Sequence, residues 1–163
     1  MTKIDWRPQL DYNNVLIRPK RSSLVSRSQV SLERVIVFPS YDLNKDNAQS
    51  TNKEIKWTGV PIIAANMDST GTFEVYKVLS KFKIITALNK FYDVDDFRSY
   101  TANKITDDGE TVFQGDKLDP NLFMVSTGIS DNDFDKLNRI LKVVNCNWIF
   151  IDIANGYIKA LTE

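Results

Sequence analysis

Histidine is absent from the 163 residues, and cysteine occurs once, as Cys146. The first absence removes the commonest general base and the commonest transition-metal ligand, and with them any Ser-His-Asp or Cys-His mechanism contained within these residues. The second excludes an internal disulfide framework and speaks against a cysteine-based zinc site. No apolar run approaches the roughly 18 to 20 residues that span a bilayer, and the start MTKIDWRPQLDYNN lacks the apolar centre of a signal peptide. The expectation is a cytoplasmic chain with no membrane partner. Net charge is zero, with 21 basic against 21 acidic side chains, so no global field recruits nucleic acid. The G-x-G-x-x-G turn of dinucleotide-binding sheets is also missing.

What is present suits one compact domain, because 42% of the residues are apolar and the length allows a real core. The first sixty residues are irregular, punctuated by Pro8, Pro19 and Pro39, and carry the basic run Arg18-Pro19-Lys20-Arg21. Alternating segments at 33–38 and 54–57 read as two arms of a hairpin around a polar loop, 39–53. From Val60 onward, short apolar runs at 61–65, 84–88, 122–125 and 148–153 alternate with helical periodicity, as parallel strands and their crossover helices do. A first helix is expected over 72–82, with Val75, Val78, Leu79 and Phe82 as its apolar stripe. A second covers about 94–103. A third starts at a Ser130 cap with acids in its first turn and presents Phe134, Leu137, Leu141 and Val144 on one face. The stretch 105–120 reads as an exposed loop. The whole is expected to be one domain, 1–163, with an extension and hairpin over 1–59 and four βα units over 60–163.

Four consecutive βα units predict a parallel α/β sheet with right-handed crossovers. A doubly wound sheet and a (β/α)8 barrel both remain open on this pattern, and a complete barrel needs about 250 residues, so this length would supply half of one. Polar residues follow every strand: Asn66-Met67-Asp68, then Asn89-Lys90, then Ser126-Thr127-Gly128, then Asp152, Ala154, Asn155 and Gly156. In a parallel sheet all four groups converge at one edge, where small-molecule sites form. The same residue types are also ordinary turn and cap residues. Lys90 is the least easily explained that way, and a cation in such a mouth suits a phosphate or carboxylate. The basic run admits a solvated surface, a nucleic-acid contact or part of a phosphate pocket. Cys146 precedes its strand, at the edge opposite that mouth, and reads as structural.

The stretches LDYNNVLIRPKRSSLVSRSQVSLER, WTGVPIIAANMDSTGTFEV, FMVSTGISDNDFDK and FIDIANGY closely resemble the amino-terminal half of the guanosine monophosphate (GMP) reductases. These are relatives of the inosine monophosphate dehydrogenases. The resemblance covers the chain apart from 39–53 and 105–120. The dehydrogenases ordinarily end their first strand in Ser-Pro-Met-Asp, whereas here it ends Ala65-Asn66-Met67-Asp68, and no regulatory domain follows the second unit. The resemblance implies the (β/α)8 TIM barrel, of which this chain would hold about the first four units, and NADPH-dependent reductive deamination of GMP to IMP and ammonia. It implies that Ser26, Arg27, Lys90, Asp152, Ile153 and Ala154 contact the cofactor, with Ser126, Thr127 and Gly128 on the same side. It places Asn66, Met67 and Asp68 at the mouth near the nucleotide. The family commonly shows His-Lys-His where this chain has Asn89-Lys90-Phe91. Its catalytic cysteine, proton-transferring threonine and monovalent-cation (K+) site would lie beyond Glu163, so no catalytic or metal residue is expected here. The expectation is therefore a truncated reductase, inactive alone. The alternative is a non-catalytic chain that binds nucleotide or associates with a full-length reductase, in a family that is usually tetrameric.

Overall fold

The computed structural model describes residues 6–41, 50–101, 104–105, 111–112 and 117–159, with 39–41, 50–53, 104–105 and 111–112 described by their backbone alone. The chain divides into two compact units, Met1–Ser31 and Leu32–Glu163. In the first, every described residue is exposed. Two single-turn 3-10 helices, Tyr12–Asn14 and Arg27–Gln29, are each closed by a capping box, from Asp11 with Asn14 and from Ser26 with Gln29. The side chains thereby satisfy backbone groups that so short a turn leaves unpaired.

The second unit begins with an antiparallel hairpin of β1 (Arg34–Tyr41) and β2 (Ser50–Gly59). The expected pairing is present, and it continues through Tyr41↔Ser50, so the strands run well into the stretch read as loop. The register shifts between Pro39 and Ser40, where a residue without an N–H is best tolerated. Residues 42–49 lie outside the described residues.

Four strands follow: β3 (Ile63–Ala64), β4 (Ile85–Leu88), β7 (Phe123–Thr127) and β8 (Ile149–Ile151). All pair in parallel, in the order β3-β4-β7-β8. This is chain order with no reversal, the winding of a (β/α)8 barrel; a doubly wound sheet reverses at a switch point. The sheet is open among the described residues. Both outer strands are shorter than the apolar runs predict, because each has a neighbour on one side only.

The crossovers carry α1 (Phe73–Leu79), α2 (Val94–Thr101) and α3 (Asp131–Leu141). The core forms where these cover one face of the sheet: Leu88, Phe123 and Val125 join Phe73, Phe97 and Ile140 in one buried cluster. Phe73 stacks on Tyr100 at 4.2 Å and meets Phe97 edge-on at 5.3 Å. The expected stripe of α1 is corrected. Its buried residues are Phe73 and Tyr76, while Val78 and Phe82 are 54% and 63% exposed. The helix also ends early, passing through a 3-10 turn, Ser80–Phe82, into Lys83 at φ 55°. In α3 the buried positions are Leu137 and Ile140, and Phe134 is exposed. The second helix is described over Val94–Thr101, and residues 102–103 of the expected span lie outside the described residues.

The stretch read as an exposed loop contains more structure. A second small antiparallel pair, β5 (Lys104–Ile105) with β6 (Thr111–Val112), occupies its first part. Leu118 then enters the core, and the Asp119 N–H donates to the Tyr76 hydroxyl at 2.7 Å.

On the other face of the sheet, Ile63, Ile85 and Met124 line a cavity of about 310 Å³ with Trp148 and with Ile36, Phe38 and Trp57 of the hairpin. Phe38 meets Trp148 edge-on at 5.2 Å, and the Trp57 indole N–H donates to the Asn121 carbonyl at 2.9 Å. The hairpin thus closes over the end of the sheet where the strands begin, leaving the opposite, carboxyl edge for the polar residues.

Candidate site at the carboxyl edge of the sheet

After β3 the chain turns tightly, with the Gly71 N–H donating to the Met67 carbonyl at 2.6 Å and the Thr70 N–H to the same oxygen at 3.0 Å. Met67 and Asp68 are exposed on this turn, and Asn66 is half-buried. Gly71 is required here by close approach, because a Cβ would collide with the Ala87 carbonyl. Its own carbonyl accepts from the Asn89 backbone N–H at 2.8 Å and from the Asn89 side-chain amide at 3.0 Å. The Asn89 Oδ1 in turn accepts from the Phe91 N–H at 3.1 Å. Asn89 is buried and ties the turn after β3 to the turn after β4. That double bond to one carbonyl sets the backbone from which Lys90 projects.

Lys90 Nζ lies 3.6 Å from Asp152 Oδ2, just past β8, and both side chains are partly exposed. An ion pair so open to water contributes at most about 1 kcal/mol, so it orients the two groups more than it stabilises the fold. The Asp152 N–H donates to the Thr127 carbonyl at 2.8 Å, and the Thr127 hydroxyl donates to the Asp133 carbonyl at 3.3 Å. Ser126 and Thr127 lie within β7, one strand turn earlier than the loop position read from sequence. Thr127 is thereby committed to α3. Ser126 is buried, and its Oγ has no hydrogen-bond partner.

Two charged residues of α3 that the sequence did not single out for the site shape this edge. Lys136 of α3 donates to the Lys90 carbonyl at 2.8 Å. Asp133 accepts from the Ser130 hydroxyl at 2.6 Å and from its N–H at 3.1 Å, completing the α3 capping box. The Ser130 hydroxyl holds the Asp133 carboxyl below its ordinary value, helped by the Ser130 N–H and by Lys90 and Lys136, against a smaller opposing effect of burial. The signal was the Ser-x-x-Asp spacing, a short-chain variant of the capping box. Gly128 passes so close to this carboxylate that a Cβ would collide with it.

The strand ends therefore form one continuous chain of contacts: Gly71 to Asn89, Lys90 to Asp152, Asp152 to Thr127, Thr127 to Asp133. Ile153 is half-buried and Ala154 exposed beyond Asp152. Ser26 and Arg27 belong to the first unit, where the Ser26 Oγ accepts from the Ser28 N–H at 3.3 Å and stands 2.9 Å from the Ser28 hydroxyl. Cys146 lies before β8, and its thiol donates to the Trp148 carbonyl at 2.9 Å. Burial pushes that thiol up, so it is not the thiolate that nucleophilic chemistry needs.

No family model matches the chain. Among curated proteins it is similar to GMP reductase of Caenorhabditis elegans, 38% identical over 164 residues, covering 100% of this chain and 39% of that protein. It is also similar to GMP reductase of Citrobacter koseri, 44% identical over 162 residues, covering 99% of this chain and 40% of that protein. The chain thus spans about two fifths of the length of the curated relatives it matches. Among solved structures it is similar to inosine 5' monophosphate dehydrogenase from Legionella pneumophila, at TM-score 0.48 and 17% identity, over 78% of this chain and 36% of that one. No helix among the described residues is long and apolar enough to cross a membrane. Over its whole length, then, the chain is similar to the amino-terminal part of GMP reductase.

Proposed function

We propose that this chain supplies the cofactor-side wall of a GMP reductase-like site, in a cytoplasmic enzyme that reduces GMP to IMP and ammonia with NADPH. The carrying observation is the pairing of Lys90 with Asp152 at the carboxyl edge, in a chain 38% to 44% identical to two GMP reductases. The donor set fits such a cofactor. Lys90 offers a partly exposed cation, Asp152 a partly exposed carboxylate, and Ser126 an unpaired buried hydroxyl. A dinucleotide presents the complements, phosphate oxygens for the lysine and sugar hydroxyls for the carboxylate.

When bound, NADPH supplies the hydride. On this reading the chain's residues bind and orient. Lys90 neutralises a phosphate, Asp152, Ile153 and Ala154 line its far side, and Ser126, Thr127 and Gly128 border the same channel. Asn66, Met67 and Asp68 face the purine nucleotide. The family's covalent step needs a thiolate at the purine, and Cys146 is a protonated thiol committed to a backbone carbonyl. These residues by themselves therefore bind nucleotide and turn over nothing.

The test is a thermal-shift titration with NADPH and with GMP, run beside an assay of NADPH oxidation. Stabilisation by NADPH without oxidation is expected. Steady oxidation of NADPH with GMP would overturn the non-catalytic part, and no shift with either nucleotide would remove the binding part.

A further inference from the structure

Lys90 lies in the loop between β4 and α2, where a long side chain on a free backbone would spread its charge over a wide volume. The contacts around it remove that freedom. The Lys90 carbonyl and the Phe91 N–H are the two polar ends of one planar peptide. The first accepts from Lys136 Nζ at 2.8 Å, and the second donates to Asn89 Oδ1 at 3.1 Å. One residue earlier, the Asn89 N–H and its side-chain amide both donate to the Gly71 carbonyl, at 2.8 Å and 3.0 Å. The backbone is thus held on both sides of Lys90, and its Nζ reaches Asp152 Oδ2 at 3.6 Å.

Asn89 is local to this loop, but Lys136 comes from another element, 46 positions away on the second turn of α3. That helix holds both partners of the ion pair. It takes Asp152 indirectly, because the Asp152 N–H donates to the Thr127 carbonyl while the Thr127 hydroxyl donates to the Asp133 carbonyl. It takes Lys90 directly, through Lys136. The charges of Lys90 and Lys136 both act on the Asp133 carboxylate, which places the two lysines around one point of the first turn of α3. Lys136 is half-buried against this edge, whereas Lys90 is exposed. A charged N–H on a carbonyl also holds more firmly than a neutral one.

We infer that Lys136 is a positioning residue: by fixing the Lys90 carbonyl it presets the direction in which Lys90 offers its charge, and it does so without touching the ligand. The inference rests on the reading of Lys90 as the cation that meets a phosphate of NADPH. Its consequence is a matter of order before binding. A lysine held in place beforehand loses little conformational freedom when the phosphate arrives, whereas a released one must be ordered at that moment. Lys136 therefore sets the affinity for NADPH through Lys90 alone.

The experiment pairs NADPH titration with NMR on the 163-residue chain. Lys136→Met is expected to weaken NADPH binding by about three- to tenfold, the range that ordering one side chain on binding corresponds to, with the unfolding midpoint little changed. Lys136→Arg keeps a cationic donor of similar reach and is expected to restore the affinity. In a Lys90→Met background, Lys136→Met is expected to have no further effect, because its action runs through Lys90. Without any nucleotide, the Lys90 carbonyl 13C resonance is expected to move upfield in Lys136→Met and to return in Lys136→Arg, and 13C relaxation is expected to show a more mobile Lys90 side chain in the first variant. A loss that adds to that of Lys90→Met would make Lys136 a direct ligand contact, and unchanged NADPH affinity would leave it no positioning role; either overturns the inference. If the unsubstituted chain binds no NADPH, the reading of the site fails, and the NMR comparison judges the clamp alone: an unmoved Lys90 resonance and side chain overturn it. Should Lys136→Met fail to fold, Lys136→Gln takes its place in each arm.

Discussion

Asn89 stands where the resembling family commonly has histidine, and the structure gives the substitution a physical role. The buried Asn89 side chain spends its amide on the Gly71 carbonyl and its oxygen on the N–H of the exposed Phe91. Asn89→Ala would remove both hydrogen bonds, and a loss of about 1–3 kcal/mol is expected in urea unfolding. Gly71→Ala forces a Cβ against the Ala87 carbonyl and should cost about 1–3 kcal/mol through displaced backbone. Asp133 gives a pH test. Its folded-state value is depressed, so the stability it contributes is present above the ordinary carboxylate value and is lost as pH falls through the folded value. Asp133→Asn should therefore be less stable than the parent near neutrality, with the gap closing in acid. A gap unchanged across that range would refute the assignment. These side-chain pairings were not legible in the sequence. Lys90 and Asp152 are 62 positions apart by their numbering, and nothing local marks them as neighbours.

Elements were legible where local signals and burial agreed. The Ser130 cap of α3 was readable because the cap, the acids and the apolar spacing coincide within one turn. Removing the cap with Ser130→Ala should cost about 1 kcal/mol, measured as a lower midpoint in thermal or urea unfolding. The α1 stripe misled for a definable reason. Val75, Val78, Leu79 and Phe82 have good helical spacing, but the sheet is met by the aromatic residues Phe73 and Tyr76, whose burial is set by Phe123 and Tyr100 across the core. Apolar spacing reports that a face exists, and tertiary packing chooses which face is covered. The strand ends were misplaced for a similar reason. The run 61–65 is apolar throughout, yet pairing exists only where β4 lies opposite, at Ile63 and Ala64.

At the scale of the molecule, the parallel winding was legible from alternation alone, since near-continuous apolar runs separated by helices have few other arrangements. Convergence of the polar strand ends followed from that winding and is what the second unit displays. The proposed ligand rests instead on the resemblance to the GMP reductases, to which the chain is similar over its whole length. The proposal joins the two: NADPH would be held at the carboxyl edge through Lys90. The most direct measurement is isothermal titration of NADPH into this chain and into its Lys90→Met variant. Losing one charged contact to phosphate should weaken binding by about 1.5–3 kcal/mol, roughly tenfold to a hundredfold, with the unfolding midpoint little changed. Equal NADPH affinity in the two proteins, or no saturable binding by the unsubstituted chain, would contradict it.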